Sequence, residues 1–392
     1  MANTSYGVNN PAAVKLWSRK LFHEALKATW MYKFIGKDSN NVIQMHDDTS
    51  KGAGDRVRVI LRMLLSGNGI QGDGTLEGNE EALTTFTDDL LVDQLRHAVR
   101  SGGKMSEQRI PFSVREEARL GLQDWWADRM DTWAFNQLAG NTVQSDTRFT
   151  GNNSVTEADS DHKQVVGVNT TTDQTISATG SSCVATINMI DSAVEAAKMG
   201  VSLATMAKVS EGLLNFEESI SAQFDMIDSA VEAAKTLEPM IRPIKLKGED
   251  KYVMFFHPFQ VFNLRTSSNT GQWLDIQKAA VQGHGKYDSP IYTGAMGEYN
   301  GVVIHESSRV PKGHTSGTEN ASVRRAIFCG AQAGHIAFGQ GHAPSKYSWV
   351  EELFDYNNQL GVSAGCISGL KKAIFNGKDF GTIASSSFAV AH

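Results

Sequence analysis

The sequence predicts an α+β fold with pieces of antiparallel sheet and one dominant helix. Residues 56–65 alternate apolar and basic side chains, which is typical of a half-buried strand. Residues 114–138 place apolar side chains mostly three and four positions apart, which indicates one face of a long helix. After residue 250, short apolar runs alternate with turn residues. The 392 residues are enough for two or three domain-sized units and a sizeable core.

The composition is that of an ordinary globular protein, with 41% hydrophobic and 20% charged residues, and it excludes wholesale disorder. The formal net charge is -6 and the sequence pI is near 6.0, so the basic surplus typical of a nucleic-acid binder is lacking. The cysteines Cys183, Cys329 and Cys366 are scattered without a CxxC pair, which argues against a disulfide framework or a zinc site. Each is expected to be a small buried residue in a reducing compartment.

The N-terminus carries neither the basic start nor the apolar run of a signal peptide. No stretch of the sequence approaches the roughly 20 apolar residues that span a bilayer. We therefore expect a soluble product that is made in cytoplasm and has no membrane partner.

Residues 1–55 are expected to form an N-terminal arm followed by a helix. Residues 1–12 are small and polar, as in a flexible arm. The helix is predicted by apolar side chains at three- and four-residue spacing, namely Val14, Trp17, Leu21, Ala25 and Ala28.

Residues 56–109 are expected to form an extended loop hairpin. One face of its first strand carries Val57, Val59, Leu61, Met63 and Leu65, and the other carries Arg56, Arg58 and Arg62. The segment Gly67–Gly78 has five glycines and no apolar periodicity, as in a flexible tip. A second extended run, Phe86–Arg100, mixes apolar residues on both faces, which fits a long thin hairpin lying across another surface.

Residues 110–184 are expected to hold the long helix and then loops with short strands. Ser113 and Glu116 form a capping box at its start, and Gly140 is suited to its C-terminal end. About 26 residues at 1.5 Å each give a rod of about 39 Å. Its tryptophans are expected to pack in the core, because large aromatic side chains dominate core energetics.

Residues 185–350 contain one clear repeat. The decapeptide MIDSAVEAAK occurs at residues 189–198 and again at 226–235, a period of 37 residues, and both copies favour helix. Two copies are too few for a solenoid, so a tandem duplication within one domain explains them best. Helix and strand patterns follow, with strands at 251–256, 301–306 and 326–330, and residues 351–392 add C-terminal strands.

The segment 67–72 matches GxGxxG, a pattern of nucleotide-binding loops. Such a loop works only where a helix N-terminus begins, so that its amides face the phosphates. Here the loop continues through acidic residues, namely Asp73, Glu77, Glu80 and Glu81, which would repel phosphate. A flexible hairpin tip is the better interpretation.

The segment 361–365 matches GxSxG, and Asp379 and His392 follow Ser363 in the order of a serine hydrolase. His392 is the last residue given, however, and the 29 residues after Ser363 are too few for the rest of that fold. We interpret the motif as a turn near the end of a strand.

The 11 histidines include no HExxH and no HxH. His335 and His342 could approach each other, but no carboxylate lies between them, so a structural role is favoured. We therefore predict no enzyme activity, no cofactor and no metal.

Five blocks of sequence carry a family resemblance and lie in order along most of the chain. They are TLEGNEE (75–81), DQLRHAVR (93–100), GKMSEQR (103–109), MIRPIKLKGEDKYVMFFHPFQVFNLR (240–265) and DYNNQLGVSAG (355–365). They resemble the major capsid proteins of tailed bacteriophages, in the family typified by coliphage N-4. The predicted order of elements is similar to the Hong Kong 97-type (HK-97-like) capsid fold.

The resemblance implies names for the segments. Residues 56–109 would contain the extended loop, which lies over a neighbouring subunit, and residues 110–184 the spine helix and the peripheral domain. Residues 185–350 would be the axial domain with the duplicated unit, and residues 351–392 would return to the peripheral domain. The 37-residue unit departs from the family layout, since only the second copy runs directly into the block at 240–265.

The resemblance also implies partners. Copies of the chain would form hexamers and pentamers of an icosahedral virion shell that encloses double-stranded DNA without sequence-specific binding. A separate scaffolding protein, a portal and, in some phages, a decoration protein would join them. A bacterial nanocompartment shell of the same fold is the alternative, and a serine hydrolase is the alternative from another class.

The acidic tip of the predicted hairpin calls for basic groups on a neighbouring subunit. We therefore regard six residues as candidate inter-subunit contacts: Asp73, Glu77, Glu80, Glu81, Arg96 and Arg100.

Overall fold

A computed structural model provides the structure of the chain. It describes residues 30–46, 55–62, 80–165, 226–246, 248–266, 290–292, 294–315, 318–339 and 347–391, with residue 224 and positions 65, 67, 69–72, 77 and 78 of the loop. The predicted arm and helix of residues 1–28, the first decapeptide, Asp73, Cys183, His342 and His392 lie outside these residues.

The described residues form five α-helices. They are α1 (Lys104–Gln108), α2 (Val114–Ala139), α3 (Thr147–Thr150), α4 (226–236) and α5 (Pro258–Thr266). Short 3-10 helices lie at Trp30–Phe34, Ser160–His162 and Pro290–Tyr292.

The strands before α4 are β1 (Ile35–Gly36), β2 (Ile43–His46), β3 (Arg56–Arg62), β4 (Thr85–Leu91), β5 (Asp93–Arg100) and β6 (Lys163–Val165). Those after α4 begin with β7 (Ile244–Leu246), β8 (Glu249–Phe256), β9 (Gly297–Tyr299), β10 (Val302–Glu306), β11 (Lys312–Thr315) and β12 (Thr318–Cys329). The last are β13 (Gly334–Phe338), β14 (Tyr347–Phe354), β15 (Gln359–Lys372), β16 (Ile374–Phe375), β17 (Lys378–Asp379) and β18 (Thr382–Phe388).

The long helix α2 begins and ends where the sequence predicts. Ser113 is its N-cap and its hydroxyl accepts a hydrogen bond from the Glu116 amide at 3.5 Å. Gly140 ends the helix with φ +63°, and a Cβ there would lie 2.7 Å from the Thr156 carbonyl oxygen, so only glycine fits. Trp126 and Trp133 are buried in the main core, as expected.

A six-stranded sheet packs against α2. Its order is β1-β2-β13-β15-β14, and β5 also pairs with β15. Residues 361–366 of β15 pair with β14 and with β5, so these two strands lie on opposite sides of β15. The face toward α2 is apolar, and Val362, Ala364 and Cys366 join the helix in the main core.

An eight-stranded sheet forms the second layer of the molecule. Its order is β6-β18-β12-β8-β10-β9, with β11 added to β12 and β7 added to β8. Helix α4, which is the second copy of the decapeptide, is part of its core through Met226, Ile227 and Ala230, each 0% exposed. The predicted helix is therefore confirmed for this copy.

The extended run Phe86–Arg100 is two strands with different partners, which corrects the prediction of one hairpin arm. Strand β4 pairs antiparallel with β3 and completes the hairpin, whereas β5 pairs antiparallel with β15 in the six-stranded sheet. The change occurs at Val92, whose amide donates to the Asp55 carbonyl oxygen at 2.8 Å and closes the root of the hairpin.

The GxSxG segment lies inside the 14-residue strand β15, so the predicted turn is wrong. Its alternate residues Gly361, Ser363 and Gly365 lie on the sheet face away from α2. A Cβ on Gly361 would meet the Phe354 ring at 2.6 Å, and one on Gly365 would meet Arg96 Cγ at 2.9 Å. The glycines are there because side chains of β14 and β5 lie across the central strand.

Candidate assembly surface

The hairpin formed by β3 and β4 is a two-stranded sheet that pairs with no other described strand. One of its faces packs on the body, where Val57 and Leu90 are buried with Val92 and Ala337. The other face exposes Arg56, Arg58, Ile60 and Arg62. The predicted half-buried strand is confirmed over Arg56–Arg62, whereas Leu65 lies outside it.

The distal loop of the hairpin is shaped by its own acidic residues. The Gly67 amide donates to Glu81 Oε2 at 2.7 Å, and the Gly78 amide donates to Glu80 Oε2 at 2.8 Å. These bonds join the two sides of the loop and fix a turn, while Glu77, Glu80 and Glu81 remain exposed. Two of the predicted acidic contact residues, Glu80 and Glu81, thus also form hydrogen bonds to backbone amides of the loop itself.

Two aliphatic side chains at the distal end are missing from the sequence-based candidates. Leu65 is 62% exposed and Leu83 is 58% exposed. The alternating pattern assigned Leu65 to the buried face, because nothing in the sequence shows that Leu65 lies outside the strand. Leu83 stands alone among polar residues and gives no periodic signal.

Arg96 and Arg100 lie on β5, in the six-stranded sheet, and not in the hairpin with the acidic candidates. Arg96 is exposed. The Arg100 guanidinium lies 4.3 Å from the centre of the Phe354 ring, a cation–π contact within the subunit. The described candidates therefore lie in two places: Glu77, Glu80 and Glu81 in the loop, and Arg96 and Arg100 in the six-stranded sheet.

The hairpin is joined to the body by polar contacts at its root. Lys371 of β15 forms an ion pair with Asp88 of β4, and it also donates to the Asp89 carbonyl oxygen at 3.2 Å. The Ile374 amide donates to Asp88 Oδ2 at 3.3 Å. Because Asp88 is 8% exposed, these contacts are largely shielded from water.

Within the body, buried polar groups tie the long helix α2 to the 3-10 helix Trp30–Phe34 and to the eight-stranded sheet. Asp131 accepts from the amides of Trp30 and Met31 at 2.8 and 2.9 Å, and burial raises the pKa of its carboxyl above the usual value. At the C-terminus of α2, Arg325 donates to the Ala139 carbonyl oxygen at 3.3 Å and to that of His314 at 2.6 Å. A cation at a helix C-terminus is favourable, since the helix dipole is negative there.

The residues of the rejected chemical motifs have structural partners. The Ser363 hydroxyl donates to the Val350 carbonyl oxygen at 3.3 Å, and Asp379 pairs with the buried Lys372 at 2.7 Å. His335 Nδ1 lies 3.1 Å from His46 Nε2. Burial lowers the pKa of His335 to about 3 and keeps the ring neutral.

In the part of the chain that the structure describes, no three His, Cys, Asp or Glu residues are grouped so that they could hold a metal ion. The same part contains no helix that is long and apolar enough to cross a membrane. Cys329 and Cys366 are buried free thiols, and burial raises the pKa of Cys329.

Known proteins resemble this chain over nearly its whole length. A family model described as phage capsid protein matches residues 4–391. The chain is 28% identical over 390 residues to the major capsid protein of Pseudomonas phage KPP25, covering 94% of this chain and 93% of that protein.

Solved structures show the same similarity. The capsid of Ralstonia phage GP4 matches with a TM-score of 0.73 and 30% identity, covering 100% of this chain and 99% of that one. The Cyanophage Pam1 capsid asymmetric unit matches with a TM-score of 0.67 and 19% identity over 100% of both chains, which shows a common fold.

Proposed function

This chain belongs to the phage capsid protein family and has the Hong Kong 97-type fold, and we propose that its role follows from one feature, the extended hairpin. The protein is the major capsid protein of a tailed double-stranded DNA phage and assembles with copies of itself into the icosahedral shell around the genome. The hairpin reaches over a neighbouring subunit and joins the two copies.

The main support for an inter-subunit role of the hairpin is that its two strands pair with no other described strand. Strands β3 and β4 pair only with each other among the described strands. An isolated two-stranded hairpin is marginal in water. The root is supported by the body, but the distal end exposes Leu65 and Leu83. A neighbouring subunit supplies the surface that covers these side chains.

The acidic residues of the loop contribute at the same contact. Glu77, Glu80 and Glu81, with Asp73, face basic groups of the neighbour, and exposed arginines such as Arg96 suit that position. Each exposed ion pair contributes roughly 0–1 kcal/mol and weakens with salt. Repetition around a closed shell makes the sum substantial through avidity.

The remaining partners follow from shell assembly. Hexamers and pentamers of this chain make up the virion shell, after synthesis in the host bacterial cytoplasm. A separate scaffolding protein guides assembly, a portal occupies one vertex, and a decoration protein binds outside in some phages. The shell encloses DNA without reading its sequence, which agrees with the net charge of -6. Catalysis is not part of this role.

Hydrogen–deuterium exchange tests the hairpin contact. Amides of residues 67–83 are expected to exchange fast in the free subunit, because this glycine-rich sequence favours no regular structure of its own, and slowly in assembled shells. Amides of β12, in the buried eight-stranded sheet, serve as a control that is slow in both states. Equal exchange of residues 67–83 in the two states would contradict the proposal.

A further inference from the structure

The end of the hairpin that joins the body, at Leu91, is hydrogen-bonded by one buried amide side chain, that of Asn153. Its Oδ1 accepts from the Leu91 amide at 2.9 Å, and its Nδ2 donates to the Leu91 carbonyl oxygen at 3.0 Å. The same Nδ2 donates to the Leu370 carbonyl oxygen of β15 at 3.2 Å. Asn153 is 3% exposed, and three bonds satisfy both of its donors and its acceptor. It therefore joins the last residue of β4 to the body.

The same Leu91 carbonyl also lies against the backbone of β15, next to the Asn153 amide. A Cβ built on Gly369 would lie 1.9 Å from the Leu91 carbonyl oxygen, so β15 and the end of β4 touch directly. Leu91 is thus bonded by Asn153 and packed against Gly369, so its position has little freedom.

A second contact to the body lies at Asp88, three residues before Leu91 in β4 and nearer the distal end of the hairpin. Asp88 pairs with Lys371 and accepts from the Ile374 amide at 3.3 Å. Three residues of strand span about 10 Å. The hairpin also packs on Phe375 and Phe380 through Val59, Leu61 and Phe86. Hydrogen bonds are more directional than this apolar packing, so the two polar contacts about 10 Å apart fix the direction of the hairpin.

The direction matters because the hairpin is long. From Leu91 to Leu83 the chain spans roughly 27 Å at about 3.3 Å per residue. A rotation of about 5° at the root would move the distal end by roughly 2 Å over that length. A gap of about 1 Å already removes up to roughly half of the attraction in an apolar contact, so a shift of this size would weaken the contact at the distal end.

We propose that Asn153 is a positioning residue that fixes the direction of the hairpin, and through it the angle between neighbouring subunits in the shell. This inference rests on the proposed role of the hairpin in joining copies. It assigns to Asn153 a function beyond subunit stability, namely the uniform size of the shells.

The matched control for this role is Gln260. This amide is 0% exposed and also makes three bonds, accepting from the His257 amide at 3.0 Å and donating to Arg324 at 3.1 Å and to Ser387 at 2.8 Å. It lies on α5, beside the eight-stranded sheet and away from the hairpin. Asn153→Ala and Gln260→Ala thus each remove a buried amide with three bonds, and both are expected to lower the melting temperature.

The first readout is the free subunit. Spin labels on Leu83→Cys and Arg119→Cys, with Cys183→Ser, report the distance between the hairpin and α2 by pulsed electron spin resonance. We expect Asn153→Ala to broaden the distance distribution at least twofold and Gln260→Ala to leave it unchanged. If Asn153→Ala does not fold, Asn153→Asp replaces it, because it keeps the acceptor for the Leu91 amide but loses both donors, and it is expected to broaden the same distribution less. Unchanged distributions in the folded variants would overturn the inference.

The second readout is the assembled particle, made below the melting temperature of both variants. Electron microscopy is expected to show Gln260→Ala shells with wild-type diameters, and Asn153→Ala particles that vary in diameter or fail to close. Uniform Asn153→Ala shells, or the same spread for Gln260→Ala, would overturn the positioning role. Absence of shells from the wild-type chain would instead contradict the proposed function. The spin-label distances would still show whether Asn153 fixes the direction of the hairpin.

Discussion

Leu65 and Leu83 are large apolar side chains that the free subunit leaves in water, at 62% and 58% exposure. We expect Leu65→Ser with Leu83→Ser to change the free energy of unfolding by no more than about 0.5 kcal/mol, because exposed positions tolerate substitution. Shell yield is expected to fall at least tenfold, since each buried leucine contributes about 2 kcal/mol to a contact. Thermal melting and sedimentation measure the two effects.

The control for this pair is Val57→Ser at the root of the same hairpin. Val57 is 6% exposed in the subunit's own apolar cluster, so its loss is expected to lower the melting temperature directly. Normal shell yield from the double leucine variant would remove the distal end from the assembly contacts.

The acidic residues of the loop are tested separately. We expect replacement of Glu77, Glu80 and Glu81 by lysine to leave thermal melting nearly unchanged, because all three are exposed. Shell assembly is expected to fall sharply, because lysine repels the basic groups of the neighbour and the loop also loses the bonds to Gly67 and Gly78. Glutamine at the same three positions distinguishes the loss of charge from the loss of the loop's conformation. It removes the charges but keeps an oxygen acceptor for the Gly67 and Gly78 amides. A large loss of melting temperature in the lysine variant would place the loop in the subunit's own core.

The buried histidines predict a loss of stability in acid. Burial lowers the pKa of His305 and that of His335 to about 3, below the value of 6.5 in an unfolded chain. Between pH 6.5 and about 3 the unfolded chain binds more protons, so the free energy of unfolding falls as pH falls. The slope is at most about 1.4 kcal/mol per pH unit for each histidine. The raised pKa of Asp131 acts in the opposite sense.

Chemical denaturation between pH 7 and pH 4 measures this slope. His305→Gln keeps a donor toward the Ile291 carbonyl oxygen, which lies 2.7 Å from His305 Nε2, but does not titrate. Its slope is therefore expected to be shallower than that of the parent by up to about 1.4 kcal/mol per pH unit. Identical slopes would show that His305 is not the group that binds the proton.

At the scale of elements, local signals predicted the long helix well. The cap at Ser113 and the glycine at 140 are read from neighbouring residues, and the structure has the same ends. The partner of β5 could not be predicted, because Asp93–Arg100 has apolar residues on both faces and only pairing with β15, more than 260 residues later, shows where it belongs. The glycines at 361 and 365 suggested a turn, whereas they lie within strand β15. The side chains that require glycine there, Phe354 and Arg96, belong to strands distant in sequence or not marked by any local pattern.

The duplicated unit gives a prediction at this scale. We expect deletion of residues 189–225 to leave a soluble, folded chain, because it retains one MIDSAVEAAK helix for the core under the eight-stranded sheet. In the deleted chain Ile187 takes the place of Phe224, which is 3% exposed, so the site stays apolar. Halving the length of a chain segment between two fixed ends changes its closure entropy by only about 0.6 kcal/mol.

Circular dichroism and size-exclusion chromatography check the deletion. Ile227→Asp, which places a charge in the same core, is expected to aggregate and shows that the assay detects damage there. Aggregation of the deleted chain as well would mean that residues 189–225 belong to the subunit's core.

At the scale of the whole molecule, two sheets share one long helix. The six-stranded sheet lies along α2, and the eight-stranded sheet holds its C-terminal end through Arg325 and His314. This body positions the hairpin, whose direction is set at Leu91 and Asp88. Sequence patterns predicted the parts of this arrangement but not the grip of Asn153, because its three bonds go to backbone atoms that no side-chain pattern marks.

Electron microscopy of the purified protein, incubated under assembly conditions without other phage proteins except a scaffolding protein where one is needed, tests the central claim most directly. We expect closed icosahedral shells built of hexamers and pentamers, with the distal hairpin density of each subunit resting on its neighbour. Folded protein that stays monomeric under every condition, or shells in which the hairpins lie free of their neighbours, would contradict it.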